Sequence, residues 1–214
     1  MKNKSFNKEI IEHISTGLEK WTVSGRKMVI GIDGESGIGK TTIAKELANL
    51  YPELIFHFSL DFFIKPAQER YSSLRKIDKK TEVFEKDWFY LDRFEKLVNS
   101  FKEGDIYKCS KIIGRNDKDI EFDNKVLLVD GIFLHNRVMF KKSFDKIIYL
   151  YSDKEIVETR RKRRRERLYC KSGDQDKLKK TDLMEQLLAM AHEDYVDKYN
   201  PIDNSDLVIK IELK

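Results

Sequence analysis

Residues 34–41 of this 214-residue chain are Gly34, Glu35, Ser36, Gly37, Ile38, Gly39, Lys40 and Thr41. They satisfy the pattern G-x-x-x-x-G-K-[ST] at every fixed position. No other stretch constrains the fold as strongly, because the pattern has a physical use only between a strand and a helix. The flanks comply: residues 27–33 are a mostly apolar run that reads as a short buried strand, and residues 42–50 read as an amphipathic helix. Glycine lets the main chain approach an anion closely, and the helix N-terminus adds unpaired N–H groups and the positive end of a dipole. Lys40 is long enough to reach the outer phosphates of a nucleotide, the Thr41 hydroxyl can bind Mg²⁺, and Thr42 continues the first turn. The alternative, a glycine-rich turn matching by chance, is opposed by the strand before it and the helix after it.

The rest of the chain continues the alternation. Further strand candidates are residues 54–60, 126–129, 146–150 and 207–211, several of them continuous apolar runs, as expected of strands covered on both faces. Phe6, Ile10, Ile11, Ile14, Leu18 and Trp21 mark an amphipathic helix ahead of the first strand. Helical patterns lie between most of the strands, which predicts an α/β fold: a doubly wound parallel sheet with helices on both faces. Two stretches depart from this scheme. Residues 64–122 form a long insertion with a helix near residues 90–98, and residues 153–180 form a highly charged segment.

Hydrophobic residues make up 40% of the chain and charged residues 37%, enough for one core under a heavily solvated surface, so residues 1–214 read as one domain. The formal net charge of +5 is modest. The two cysteines, Cys109 and Cys170, lack CxxC spacing, which argues against a disulfide scaffold or a zinc site and fits a reducing compartment. The N-terminus has no apolar signal core and no apolar run is long enough to span a bilayer, so the expected location is the cytoplasm.

Two acids follow strand candidates at the edge where ligands sit in open α/β sheets. Asp61 follows the second, where a carboxylate can accept a proton from an attacking hydroxyl; capping the next turn is its alternative. Asp130 ends the apolar run 126–129, as a Mg²⁺-holding acid does; with Gly131 it also suits a plain turn. The densest charge run, residues 160–167, holds arginines at 160, 161, 163, 164, 165 and 167. It can be a lid over a triphosphate, a nucleic-acid patch or a solvated helix face. Its position after the fourth strand candidate, with Ser152 and Asp153 as a helix cap, favours the lid. Helical spacing puts Arg160, Arg163, Arg164 and Arg167 on one face and leaves Arg161 and Arg165 elsewhere. Nucleic acid is the lesser expectation.

Taken in order, residues 31–42, Leu60-Asp61-Phe62-Phe63, Val129-Asp130-Gly131-Ile132-Phe133, the R-x-x-R-R-x-x-R spacing from Arg160, and residues 204–209 resemble the P-loop kinases that include uridine kinase, nicotinamide riboside kinase, bacterial pantothenate kinase and phosphoribulokinase. The resemblance implies a P-loop NTPase fold of the nucleoside/nucleotide kinase type and transfer of phosphate from ATP, with Mg²⁺, to a hydroxyl of a small molecule. It implies Asp61 as the base, Asp130 where the family usually has glutamate, and Arg164 and Arg167 as lid arginines beside Lys40. On the acceptor side it points to Asp61, Phe63, Tyr107 and Arg115. There Lys108 stands where uridine kinases have aspartate and no histidine lies nearby, so uridine is not assigned. Residues 87–90 offer an aromatic wall or plain core. Residues 116–119 lack the N-K-x-D order of a GTPase. The other readings are a kinase for pantothenate or a sugar phosphate, and a nucleotide-dependent nucleic-acid-binding switch. Oligomeric state is left open, a homo-oligomer included.

Overall fold

The fold is taken from a computed structural model, which describes residues 3–76, 79, 81–108, 119–140, 142–169 and 175–212. Five strands form the sheet: β1 (Met28–Gly34), β2 (Ile55–Ser59), β3 (Val126–Asp130), β4 (Lys146–Tyr151) and β5 (Leu207–Lys210). Their order is β2-β3-β1-β4-β5 and every neighbouring pair is parallel. Each expected strand run lies on one of these five strands. β1 and β3 are buried at every position, which explains why both read as unbroken apolar runs.

Alternation along the strands feeds two cores. One face of β1 and β3 presents Met28, Ile30, Ile32, Val126 and Leu128 to α1 (Asn3–Thr22) and α2 (Lys40–Leu50). From α1 come Ile10, Ile11, Ile14 and Leu18, and from α2 Ile43, Ala44 and Leu47, all buried. The other face presents Val29, Leu127 and Val129 to the remaining helices. Chief among them is α5 (Leu91–Glu103), whose Phe94, Leu97, Val98 and Phe101 recur at one helical face and are buried. Also between β2 and β3 are α3 (Ala67–Lys76) and α4 (Glu82–Lys86); α6 (Arg137–Phe140) precedes β4. After β4 come α7 (Lys154–Tyr169), α8 (Gln175–Tyr199) and α9 (Pro201–Asn204).

The chain leaves β1 for one side of the sheet, returns through β3 beside it, and then builds β4 and β5 on the other side. This reversal opens a crevice at the carboxyl ends of β1 and β3, the place where open α/β sheets take ligands. Register lines up that edge: Ile32 pairs with Asp130, and Ser59 pairs with Asp130 from the far side. At Gly34 the backbone turns at φ 144, and a Cβ there would lie 2.3 Å from the Leu150 carbonyl oxygen, so only glycine ends β1 in this way. Past β2, a short antiparallel bridge between Ile64 and Phe89 draws the 88–90 segment against the chain leaving Asp61.

Of the expected cap pair, Asp153 stands at the head of α7, its carbonyl accepting from the Ile156 and Val157 amides at 3.0 and 3.3 Å, while its carboxylate pairs with Lys210 at 3.1 Å and the Ser152 hydroxyl donates to the Ile211 carbonyl. Closure of the β4–β5 edge takes both side chains. Cys109, Cys170 and residues 116–118 lie outside the described residues. No described helix is long and apolar enough to cross a membrane.

Candidate active site

Gly39, at φ 112, caps α2 with its carbonyl accepting from Thr42 and Ile43, and the first-turn amides face the loop ahead of them. Lys40 is buried within that loop. Its Nζ donates to the Gly34 carbonyl at 2.8 Å and the Glu35 carbonyl at 3.0 Å. Burial lowers its pKa, while the charges of Asp33, Asp61, Asp130 and Glu35 oppose that shift. Thr41 Oγ1 donates to Asp130 Oδ2 at 2.6 Å, which ties the helix start to the end of β3.

Asp130 is held on both oxygens. Ser59 Oγ reaches Oδ2 at 3.3 Å, and His57 Nε2, with the proton on that nitrogen, donates to Oδ1 at 2.6 Å. Burial alone would raise the Asp130 carboxyl, but the His57 and Thr41 hydrogen bonds and the charges of His57 and Lys40 leave it below the usual value. His57 escaped the sequence reading. Its signal was present: His57 and Ser59 alternate with Phe56 and Phe58, so the two polar side chains share one face of β2.

Asp61 lies in the single turn of 3₁₀ helix Leu60–Phe63, directly after β2. Its carboxylate opens onto a cavity of about 820 Å³ whose walls also include Ser36, Gly37, Lys40, Thr41, Asp130 and Arg164. The surrounding protein raises its pKa by desolvation, Asp130 pushes the same way, and Lys40 and Arg164 oppose. The loop, Asp130 and Asp61 therefore share one concave space. A second part of the wall is apolar: Phe62, Ile64, Trp88, Ile132 and Leu188. Trp88 carries the Arg70 guanidinium 4.5 Å above its ring, whereas Phe89 is core and the Tyr90 hydroxyl donates to Glu69 at 2.6 Å. Of the 87–90 segment, Trp88 reaches the cavity.

Three expectations need correction. Phe63 does not face an acceptor: it is fully buried, stacked on Phe58 and edge-on to Phe94, and its neighbour Phe62 takes the cavity wall. Tyr107 is likewise buried in the core, bridged to Ile120, with its hydroxyl donating to the Arg93 carbonyl at 3.3 Å. The third concerns Arg161, expected to be apart from the functional face. It is buried against the phosphate loop, donating to the Ser36 carbonyl at 2.9 Å and to Glu35 Oε1 at 2.7 Å. Arg160 donates to the Ile38 carbonyl at 2.6 Å. The inward face of α7 starts from buried Val157 and continues through Arg160, Arg161 and Arg164 at i+3, i+4 and i+7. Arg163 is exposed. Arg115 and the side chain of Arg167 lie outside the described residues.

Behind the loop, Asp33 is fully buried. Its carboxylate accepts from the Gly34 amide at 2.7 Å, the Leu134 amide at 3.2 Å and the Tyr195 hydroxyl of α8. Burial raises both Asp33 and Tyr195, so the tyrosine stays a neutral donor.

A phosphate loop at the start of a helix, with acids at the neighbouring strand ends, defines a P-loop nucleotide-binding fold. The family model of the phosphoribulokinase/uridine kinase family matches residues 29–210, and the chain belongs to that family. A cytidylate kinase of Mesomycoplasma hyopneumoniae is 29% identical over 199 residues, covering 83% of this chain and 82% of that protein. The solved structure of a possible uridine kinase from Bacillus stearothermophilus superposes with a TM-score of 0.62 at 18% identity, covering 98% of this chain and 100% of that one. D-glycerate 3-kinase from Cryptococcus neoformans superposes at 0.58 with 10% identity over 86% of each chain.

Proposed function

We propose that the protein transfers the γ-phosphoryl group of ATP, in the presence of Mg²⁺, to a hydroxyl of a small nucleoside- or riboside-like molecule. The observation that carries this reading is that the phosphate loop, Asp130 and Asp61 line one cavity whose wall also has an apolar part. In this reading the loop amides and Lys40 hold the donor's phosphates. Asp61 accepts the proton of the acceptor hydroxyl and points its oxygen at the γ-phosphorus. Arg164 faces the cavity and offsets charge on the transferring group, and the resemblance adds Arg167 to that role. Trp88, Phe62 and Leu188 flank the acceptor's ring. Residues 64–122 serve as the acceptor-side insertion and residues 153–180 as the lid within one kinase domain.

The hydroxyl of Thr41 and the carboxylate of Asp130, 2.6 Å apart, suit Mg²⁺, a hard cation that takes oxygen donors. Among the described residues no three or more His, Cys, Asp or Glu side chains converge as a metal cage. Mg²⁺ needs none, because it completes its shell with water and phosphate oxygens. When bound it offsets negative charge on the β- and γ-phosphate oxygens. Engagement of Arg160 and Arg161 with loop carbonyls supports a kinase lid over a nucleic-acid stripe.

The test is an ATP-consumption screen over nucleosides, ribosides, CMP, pantothenate and sugar phosphates, with products read by ³¹P NMR. CMP is included because a relative is a cytidylate kinase. The reading predicts one acceptor class that consumes ATP stoichiometrically and yields a phosphomonoester. Release of inorganic phosphate alone, with every acceptor unchanged, would contradict it, and conversion of CMP to CDP, a phosphoanhydride formed on a phosphate, would contradict transfer to a hydroxyl.

A further inference from the structure

The phosphate loop is braced from outside by two adjacent arginines of α7. Arg161 binds the Ser36 carbonyl through Nε and Glu35 Oε1 through Nη2; Arg160 binds the Ile38 carbonyl through Nη1. In a planar trans peptide the carbonyl and the following N–H point in opposite directions. A donor fixed on the Ser36 oxygen therefore sets the direction of the Gly37 N–H, and one fixed on the Ile38 oxygen sets that of the Gly39 N–H. A cation on the carbonyl also polarises the peptide and makes its N–H a stronger donor.

The residues on the loop side fit this use. At Gly37, φ is 90 and a Cβ would lie 3.0 Å from Arg161 Cγ, so the absent side chain leaves room for the arginine stem. Glu35 pairs with Arg161 in a nearly buried bridge, which commits that guanidinium to the loop. One turn on, Arg164 lines the cavity itself.

We propose that Arg161, aided by Arg160, is a positioning residue for the phosphoryl donor. It acts through the Ser36 and Ile38 peptides to aim the Gly37 and Gly39 amides at bound phosphate, and Arg161 itself touches no substrate. The proposal rests on the reading of residues 34–41 as the donor's phosphate site.

The experiment is a calorimetric titration with inorganic tripolyphosphate, together with amide spectra of protein labelled with ¹⁵N-glycine. Wild type binds the probe and Lys40→Ala loses it. Arg161→Ala binds about tenfold more weakly, the scale of one lost charge-assisted hydrogen bond. Arg161→Lys keeps the charge but loses the planar two-donor fork, and weakens binding by a smaller factor. In both Arg161 variants the Gly37 amide resonance moves; Lys162→Ala, an exposed neighbour, changes neither readout. A merely structural brace would lower thermal stability and shift the Gly37 resonance while leaving the titration of the folded protein at its wild-type value. That result in both Arg161 variants, with Lys40→Ala still defective, overturns the positioning role alone. Absence of binding by wild type overturns the phosphate site and this role with it. If Arg161→Ala does not fold, Arg161→Lys decides by the same titration.

Discussion

Asp61 and Asp130 show how two aspartates at one sheet edge come to differ. Asp130 receives hydrogen bonds from His57 and Thr41 and stays ionised; Asp61 receives the raising influence of a crowded cavity and of Asp130 itself. A base must be deprotonated to act, so a raised Asp61 moves the acid limb of the pH–rate profile above the range of an ordinary aspartate. Turnover should rise with pH through that limb, and Asp61→Asn should lose about 10²–10⁴-fold in kcat while keeping ATP affinity. Steady-state rates from acid to neutral pH, paired with ATP calorimetry, check both; full activity in the variant would remove Asp61 from the base role. At this scale the sequence already gathers four polar residues at one sheet edge. Lys40, Thr41, Asp61 and Asp130 all lie on the cavity. It misled for aromatic side chains. Phe62 and Phe63 are chemically identical and both pack on Phe58; Phe63, also edge-on to Phe94, is the one that is fully buried.

At the scale of elements, α8 reaches both the entry of the phosphate loop and β4. Tyr195 donates to Asp33 at the loop's entry, and His192 lies 3.4 Å from the Tyr149 hydroxyl of β4. Removing the hydroxyl with Tyr195→Phe takes a donor from a buried carboxylate and should cost about 1–3 kcal/mol in urea unfolding. Burial, with the positive charges of Lys40 and Arg161, pushes His192 down to about 3. Its linkage has a definite sign. Above the unfolded imidazole value near 6.5 both states are neutral and stability is whole. As pH falls toward 3 the unfolded chain takes a proton that the folded chain refuses, so stability drops, by about 2 kcal/mol between pH 7 and 5. His192→Gln should flatten that part of the curve; an unchanged slope would show that His192 is not the group responsible. The charged helix α7 was the hardest element to read. In α7 there is almost no apolar stripe to orient the helix, so spacing among arginines alone found Arg160 and Arg164 but took Arg163 in place of Arg161. Val157 was the one informative anchor.

The whole molecule is a sheet between two cores, with its ligand edge where the strand order reverses. That architecture was legible because unbroken apolar runs mark strands covered on both faces, and because the phosphate loop fixes which strand comes first. The acceptor wall was not legible. Trp88 reaches the cavity through the Ile64–Phe89 bridge, a pairing across 25 positions that no local pattern announces. Family membership places the chain among small-molecule kinases, and the cavity's composition orients the search for its acceptor. The arrangement of donor and base is tested most directly by a crystal structure with Mg²⁺ and a non-hydrolysable ATP analogue. The expected result is a triphosphate encircled by the amides of residues 36–41, with its terminal phosphate facing the Asp61 carboxylate. A triphosphate bound elsewhere, or Asp61 turned out of the cavity, would contradict it.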